Sequence, residues 1–161
     1  MITIREVKTE RDRRIFSDFP NRLYKDVPQY MPPLSADDRG DWNPKKNPAF
    51  AYCDVKAFLA EKDGKVVGRV GAILNHRANE KWHTNRMRFS QLDFIDDPEV
   101  SDALFKAVED FAREKGCDSV HGPLGFTDLD REGMLVEGFD QKSMFITYYN
   151  YPYYIQHLER L

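Results

Sequence analysis

Cysteine is nearly missing from this chain: Cys53 and Cys117 are the only two among 161 residues. Two so far apart form neither a disulfide framework nor a CxxC redox motif, so they read as small apolar residues in a reducing compartment. Metal-ligand spacing is missing as well. His76, His83, His121 and His157 stand in no zinc-like register with either cysteine, and no metal is expected. No run approaches the roughly 18 apolar residues that cross a bilayer. The start, Met1-Ile2-Thr3-Ile4-Arg5, has no basic region followed by an apolar one. A cytoplasmic protein without a membrane partner is expected. A basic excess is lacking too: 24 Lys and Arg against 27 Asp and Glu give a net charge of −3. That balance argues against nucleic acid as a partner. What remains is globular in composition, and 161 residues suit one domain.

Ile2, Ile4 and Val7 nearly alternate, which predicts a first strand. Thr9 is placed to cap a helix over 10–24, with Ile15, Phe16, Phe19 and Leu23 at helical spacing. Pro20 should break or kink it. Five prolines follow between residues 26 and 48, where Tyr30, Met31, Leu34 and Trp42 are expected to anchor an ordered, functional connection. The clearest local signal is Asp63-Gly64 between two β-rich runs, which predicts a type I′ hairpin. Gly68 and Gly71 in the second run suggest a bulge or a close approach by another group. Residues 87–95 are apolar on both faces, as in a central strand. Asp96-Asp97-Pro98-Glu99 then opens a helix whose stripe of Val100, Leu104, Val108 and Phe111 ends at Gly116. A short strand over 118–122, two further strand candidates (134–136 and 144–148) and a helix from residue 153 complete the chain. A helix between two strands implies a parallel crossover in a mixed sheet.

That order resembles the GCN5-related N-acetyltransferase (GNAT) fold across essentially the whole chain: an α/β domain with a mixed, partly parallel central sheet flanked by helices. Four strings resemble more closely an uncharacterised bacterial family of that superfamily. They are FPNRLYKDVPQYMPPL (19–34), NPKKNPAF (43–50), HGPLGFTDLDREGMLVEGFD (121–140) and YNYPYYIQHLERL (149–161). Members of that family are longer, so residues 1–161 are expected to be a single GNAT-like domain at the N-terminal end of a longer protein. The resemblance implies acetyl-CoA or another acyl-CoA as donor and a small amine or peptide as acceptor. It lays the donor's pantetheine arm along the backbone at Phe94 and Ile95, and it carries Asn150 over as a cofactor-binding residue. A tail tyrosine would protonate the departing thiolate. Tyr149, Tyr151, Tyr153 and Tyr154 are all near, and Tyr154 is the candidate. Two positions depart from the superfamily pattern. If a glycine follows Leu161, the position four residues before it is Leu158 rather than a tyrosine. At the helix start, where a glycine-rich loop would cradle pyrophosphate, residues 95–100 hold no glycine, one proline and three carboxylates. Like charges ~5 Å apart repel there by about 3 kcal/mol per pair.

Several residues carry a chemical and a structural reading side by side. Asp93, near the end of the central strand, suits a base that deprotonates an amine, or a salt-bridged acid. His121, ending the next strand, suits proton exchange near neutral pH, or a hydrogen-bonded role before Gly122-Pro123. Asp128, Asp130, Arg131 and Glu132 form a polar loop that would take a cationic or polar substrate, or remain a solvated turn. Five of the eight tyrosines fall between residues 148 and 154. They suit the lining of a ligand pocket or an interface, and the faces of Tyr148, Tyr151 and Tyr153 are expected to lack cover and to contact a second domain or another chain. Six Lys or Arg between residues 65 and 88 read as a charged strand-loop surface. Two functions follow: an acyl-CoA-dependent N-acyltransferase-like domain acting on a small amine or peptide, or a non-catalytic GNAT-like domain for ligand binding or packing.

Overall fold

Strand and helix signals resolve into one five-stranded sheet in the computed structural model, which describes residues 1–33 and 35–161. Leu34, one of the expected anchors, lies outside them. The strands are β1 (Ile2–Glu6), β2 (Cys53–Lys62), β3 (Lys65–Asn75), β4 (Arg86–Phe94) and β5 (Ser119–His121), in spatial order 1-2-3-4-5. The first four pair antiparallel, and β4 and β5 pair parallel through the crossover helix α4 (Pro98–Glu114). The expected α/β architecture is therefore the one observed. Asp63 and Gly64 turn the β2–β3 hairpin at φ 52° and 74°, the positive values that a type I′ turn requires.

Both sheet faces are covered, which explains strands that are apolar on each side. On one face α4 packs Val100, Leu104 and Val108 against Phe58, Val70, Met87 and Phe94. On the other, Phe16, Trp42 and Phe126 cover Ala57, Leu59 and Ile73. Trp42 lies so close that a Cβ on Gly71 would stand 1.9 Å from its ring. The glycine is there to admit the indole.

The helix α1 (Glu10–Leu23) begins with a capping box: Thr9 Oγ accepts from the Asp12 N–H, and Asp12 accepts from the Thr9 N–H. Pro20 does not end this helix. Its missing N–H leaves the Phe16 carbonyl without its usual helical donor, and the buried Arg69 guanidinium donates to that carbonyl at 2.8 Å. Two short helices went unforeseen: α2 (Ser35–Asp41) within the proline-rich connection, and α3 (His76–Trp82) within the basic run. Asn75, the last residue of β3, caps α3 by accepting from the Ala78 N–H. Arg69, counted in that basic run, is not on the surface but 1% exposed.

Residues 134–136 and 144–148 are not strands. The Asn150 side chain accepts from the Leu135 N–H and donates to its carbonyl, doing for one residue what a neighbouring strand would do. Thr147 donates to the Met144 carbonyl across a turn. The last helix, α5 (Tyr153–Arg160), docks beside β4. Of the tail tyrosines, Tyr149 and Tyr154 are buried, whereas Tyr148, Tyr151 and Tyr153, whose faces are the ones expected to lack cover, are half-buried. Tyr149, Tyr151, Tyr153 and Tyr154 pack on Tyr24, Tyr30 and Phe94 of the same chain, and Arg131 lies over the Tyr148 ring. No helix among the described residues is long and apolar enough to cross a membrane.

Candidate functional site

The sheet opens between β4 and β5. They pair only at Arg86↔Ser119, Met87↔Val120 and Arg88↔His121, after which the chain leaves β5 and Leu124 donates to the Phe89 carbonyl. Beyond that point β4 bulges at Gln91, whose φ is 47°, and its outer edge faces α5 and the loop after β5. Side chains take up that edge at Phe94. Tyr154 Oη accepts from the Phe94 N–H at 2.8 Å, and Tyr153 Oη donates to the Phe94 carbonyl at 2.5 Å. Ile95 pairs inward, its N–H donating to the Val67 carbonyl. The backbone on which a pantetheine arm was expected thus carries two tyrosine hydroxyls.

Asp93 and Tyr154, the expected base and acid, meet through a third residue that the sequence did not nominate. Tyr24 donates to Asp93 Oδ1 at 2.7 Å and shares a 2.8 Å hydrogen bond with Tyr154 Oη. Arg69 Nε donates to Asp93 Oδ2 at 2.8 Å. All four side chains are buried. Burial pushes the Asp93 carboxyl above its ordinary range, against the pull of Arg69 and Tyr24. Arg69 stays charged, because Asp93 and Asp38 outweigh the cost of its burial. Burial, with Asp93 nearby, raises Tyr24 and Tyr154 well above the ordinary phenol value, so both keep their protons.

His121 is held apart from this group. It sits beside Arg88, five residues of strand from Asp93, or roughly 16 Å at ~3.3 Å per residue. Burial, with Arg88 and Arg86, lowers its pKa. Asn150 is buried, and its hydrogen bonds go to Leu135 and Tyr151 of its own chain.

The start of α4 is occupied by its own acids. Asp97 accepts from the Glu99 N–H and pairs with Lys62 at 2.6 Å. Asp96 bonds His157 Nε2 at 2.8 Å, and His157 Nδ1 bonds Ser101 Oγ at 2.8 Å, which fastens α5 to the first turn of α4. Free N–H groups and a positive field are what a pyrophosphate needs here. This helix start does not fit one.

On the opposite side of the bulge, Ser90 and Gln91 line an open cavity of about 270 Å³. Trp42 donates to Gln91 Oε1 at 3.0 Å and forms part of the wall. Asp38, 4% exposed, lines the same cavity, with Oδ1 accepting from Arg131 at 2.5 Å. Its Oδ2 has no hydrogen-bond partner among the described residues. Asp130 and Arg131, from the polar loop read in the sequence, line this cavity, whereas Asp128 does not and Glu132 lines a neighbouring hollow. A smaller hollow of about 10 Å³ bordered by Asp93 shares Arg131 and Tyr148 with the large one.

No protein-family model matches the chain. Among curated proteins it is similar to Protein YghO of Escherichia coli K12, 32% identical over 158 residues, or 98% of this chain and 40% of that protein. It is also similar to a bacterial ceramide synthase of Caulobacter vibrioides, 32% identical over 145 residues, or 89% of this chain and 38% of that protein. The chain thus spans about two fifths of the length of the curated relatives it matches. Among solved structures, a tandem GNAT protein from the clavulanic acid biosynthesis pathway superposes with a TM-score of 0.55 over 73% of this chain and 34% of its own, at 17% identity. A predicted acetyltransferase of Clostridium acetobutylicum, solved with acetyl-CoA, gives 0.54 over 75% of this chain and 79% of its own, at 10% identity. An aminoglycoside acetyltransferase from a soil metagenomic sample, in complex with sisomicin, gives 0.53 over 74% and 75%, at 17% identity. The mixed sheet with its parallel β4–α4–β5 crossover and these superpositions agree: the chain has the fold of the GNAT acetyltransferases.

Proposed function

We propose that residues 1–161 form one domain of a longer protein and that this domain is an N-acyltransferase, moving an acyl group from an acyl-CoA thioester to an amine. The observation that carries this is the opening of the sheet beside the β4 bulge, where a hydrogen-bonded acid–base chain (Asp93, Tyr24, Tyr154) lies near a cavity lined by further acids. In the reaction the amine nitrogen attacks the thioester carbonyl, a C–N bond forms and the C–S bond breaks. The nitrogen must lose a proton and the thiolate must gain one. Asp93 is the proposed acceptor of the first proton, reached through the small hollow shared with Arg131 and Tyr148. Tyr154, protonated at neutral pH, is the proposed donor of the second. Tyr24 joins the two, so the chain is reset by one proton shift along it. The start of α4 takes no part in holding the donor.

Of the two relatives, one is named for ceramide synthesis, and a ceramide is an amide of a long-chain amino alcohol. A lipid-borne amine therefore joins the small amine and the peptide as an acceptor class. The test is calorimetry of the full-length protein with acetyl-CoA and with a long-chain acyl-CoA, alongside mass-spectrometric detection of amide. Tyr154→Phe should slow turnover by about 10²-fold or more in single-turnover measurements at saturating donor. Unchanged turnover would remove Tyr154 from the chemistry. The non-catalytic reading draws on Asp96, Asp97 and Glu99 at the helix start. Amine binding without any heat from acyl-CoA at millimolar concentration would favour it.

A further inference from the structure

We infer that Asp38 is the anchor for the acceptor's ammonium group, and that the acceptor is an amphipathic primary amine whose apolar chain leaves the cavity over Leu129, Phe145 and Ile146. The inference deepens the acyltransferase reading and rests on it for the word acceptor, though not for the binding itself.

A buried carboxylate oxygen without a partner is costly, and native chains rarely keep one without a use. Asp38 has one oxygen committed to Arg131 and a second, buried one without a hydrogen-bond partner among the described residues, and the residue lines a cavity rather than packed core. A primary ammonium brings three N–H donors and one positive charge to such an oxygen. The polar wall points the same way: Asp38 and Asp130 line the cavity together with Arg131. Ser90 and Gln91 of the β4 bulge are also in the wall, so an amine held there lies beside the opening of the sheet.

Size decides the rest of the ligand. About 270 Å³ falls just below the range of pockets that enclose a whole small ligand, so the cavity holds a head group and little more. What surrounds the mouth is apolar. Leu129 is 93% exposed, Phe145 61% and Ile146 54%, and all three line the cavity. Three large apolar side chains held open around an acid-lined hollow suit a ligand that is cationic at one end and hydrocarbon at the other. A polyamine would match the acids and waste the rim; a neutral lipid would do the reverse.

The test uses the full-length protein and three probes read by calorimetry below their aggregation limits: dodecylamine, dodecanol and ethylamine. Dodecylamine should bind at least about tenfold tighter than either of the others, since each lacks one half of the recognition. Asp38→Asn should bring dodecylamine to within about twofold of dodecanol while leaving dodecanol binding in place. Leu129→Ser, at a position too exposed to disturb folding, should weaken dodecylamine and dodecanol alike by several fold and leave ethylamine unchanged. Equal binding of dodecylamine and dodecanol by the unaltered protein, no binding of either, or an amine preference that survives Asp38→Asn would overturn the inference. Acyl-CoA binding and amide formation are read on the same samples. If acyl-CoA binds and the amine does not, Asp38 is not the anchor and the acyltransferase reading stands; if the amine binds through Asp38 and acyl-CoA does not, the reverse holds.

Discussion

Two buried aspartates, Asp93 and Asp38, stand on opposite sides of the distinction between a finished polar network and an open one. Asp93 has an arginine on one oxygen and a tyrosine hydroxyl on the other, with a second tyrosine behind it. Asp38 has an arginine on one oxygen and, among the described residues, no hydrogen-bond partner on the other. Both side chains are more than nine-tenths buried. Arg69 is fully enclosed, whereas Arg131 keeps some contact with water and lies over the Tyr148 ring at 4.9 Å. A closed network fixes α1, β3, β4 and α5 relative to one another. An open one leaves capacity for something that arrives later.

Breaking the closed network should cost most. Arg69→Met leaves Asp93 buried without its counter-charge and frees the Phe16 carbonyl, so a loss of about 3–5 kcal/mol is expected in urea unfolding. A loss below 1 kcal/mol would erase the contrast with Asp38. Gly71→Ala comes next. Its methyl would meet the Trp42 ring, which also walls the cavity, and should cost about 1–3 kcal/mol by the same measurement while changing the cavity's shape.

Thr9→Ala should cost about 1 kcal/mol, because it removes the side-chain acceptor of the α1 capping box. Asp12 belongs to the same box, and its pH dependence has a definite sign. Burial acts to raise its pKa, but Thr9, Lys8 and Arg5 together hold it down to about 2, against an ordinary 3.8. A depressed carboxyl stabilises the fold fully above its unfolded value and loses that contribution as pH falls through the folded one. The stability gap between the natural chain and Asp12→Asn should therefore be constant above about pH 4 and shrink steadily toward pH 2. A gap that widened on acidification would reverse the assignment. The smallest effect is expected at Asp38. Asp38→Asn keeps an oxygen for Arg131 and removes an unsatisfied anionic one, so it should change stability by about 1 kcal/mol or less. A loss like that of Arg69→Met would mean that Asp38 holds the fold together after all.

Much of the scaffold is legible because its signals are local. Asp63-Gly64 demands positive φ, Thr9 and Asp97 stand at helix starts, and Gly116, at φ 71°, follows the end of α4. Asp93 was also legible as a candidate from its place near a strand end, and Tyr154 from the family resemblance. What joins them was not. Tyr24 lies 69 residues before Asp93 and 130 before Tyr154 in sequence, and no period or spacing links such positions. Asp38 was hidden for a related reason: an acid in a proline-rich connection looks solvated until Arg131, 93 residues away, folds against it. One signal was available for Arg69. A proline inside an apolar helical pattern leaves a carbonyl four residues earlier in need of a donor, and the buried β3 arginine supplies it. Residues 134–136 and 144–148 misled because three apolar residues in a row look alike whether they enter a sheet or line a cavity mouth.

The hydroxyls on Phe94 turn one backbone amide into a sensor of helix docking. In most sheets an amide's exchange with solvent deuterium reports the opening of a neighbouring strand. Here the Phe94 N–H is held by a tyrosine from α5, so its exchange should follow release of that helix, not rupture of the sheet. The Ile95 N–H, bonded to β3, provides the internal control one residue away. A molecule that pairs with β4 at Phe94 must first displace Tyr153 and Tyr154. If acyl-CoA pairs with the strand there, as the acyltransferase reading proposes, the ratio of the two exchange rates would change as it is added.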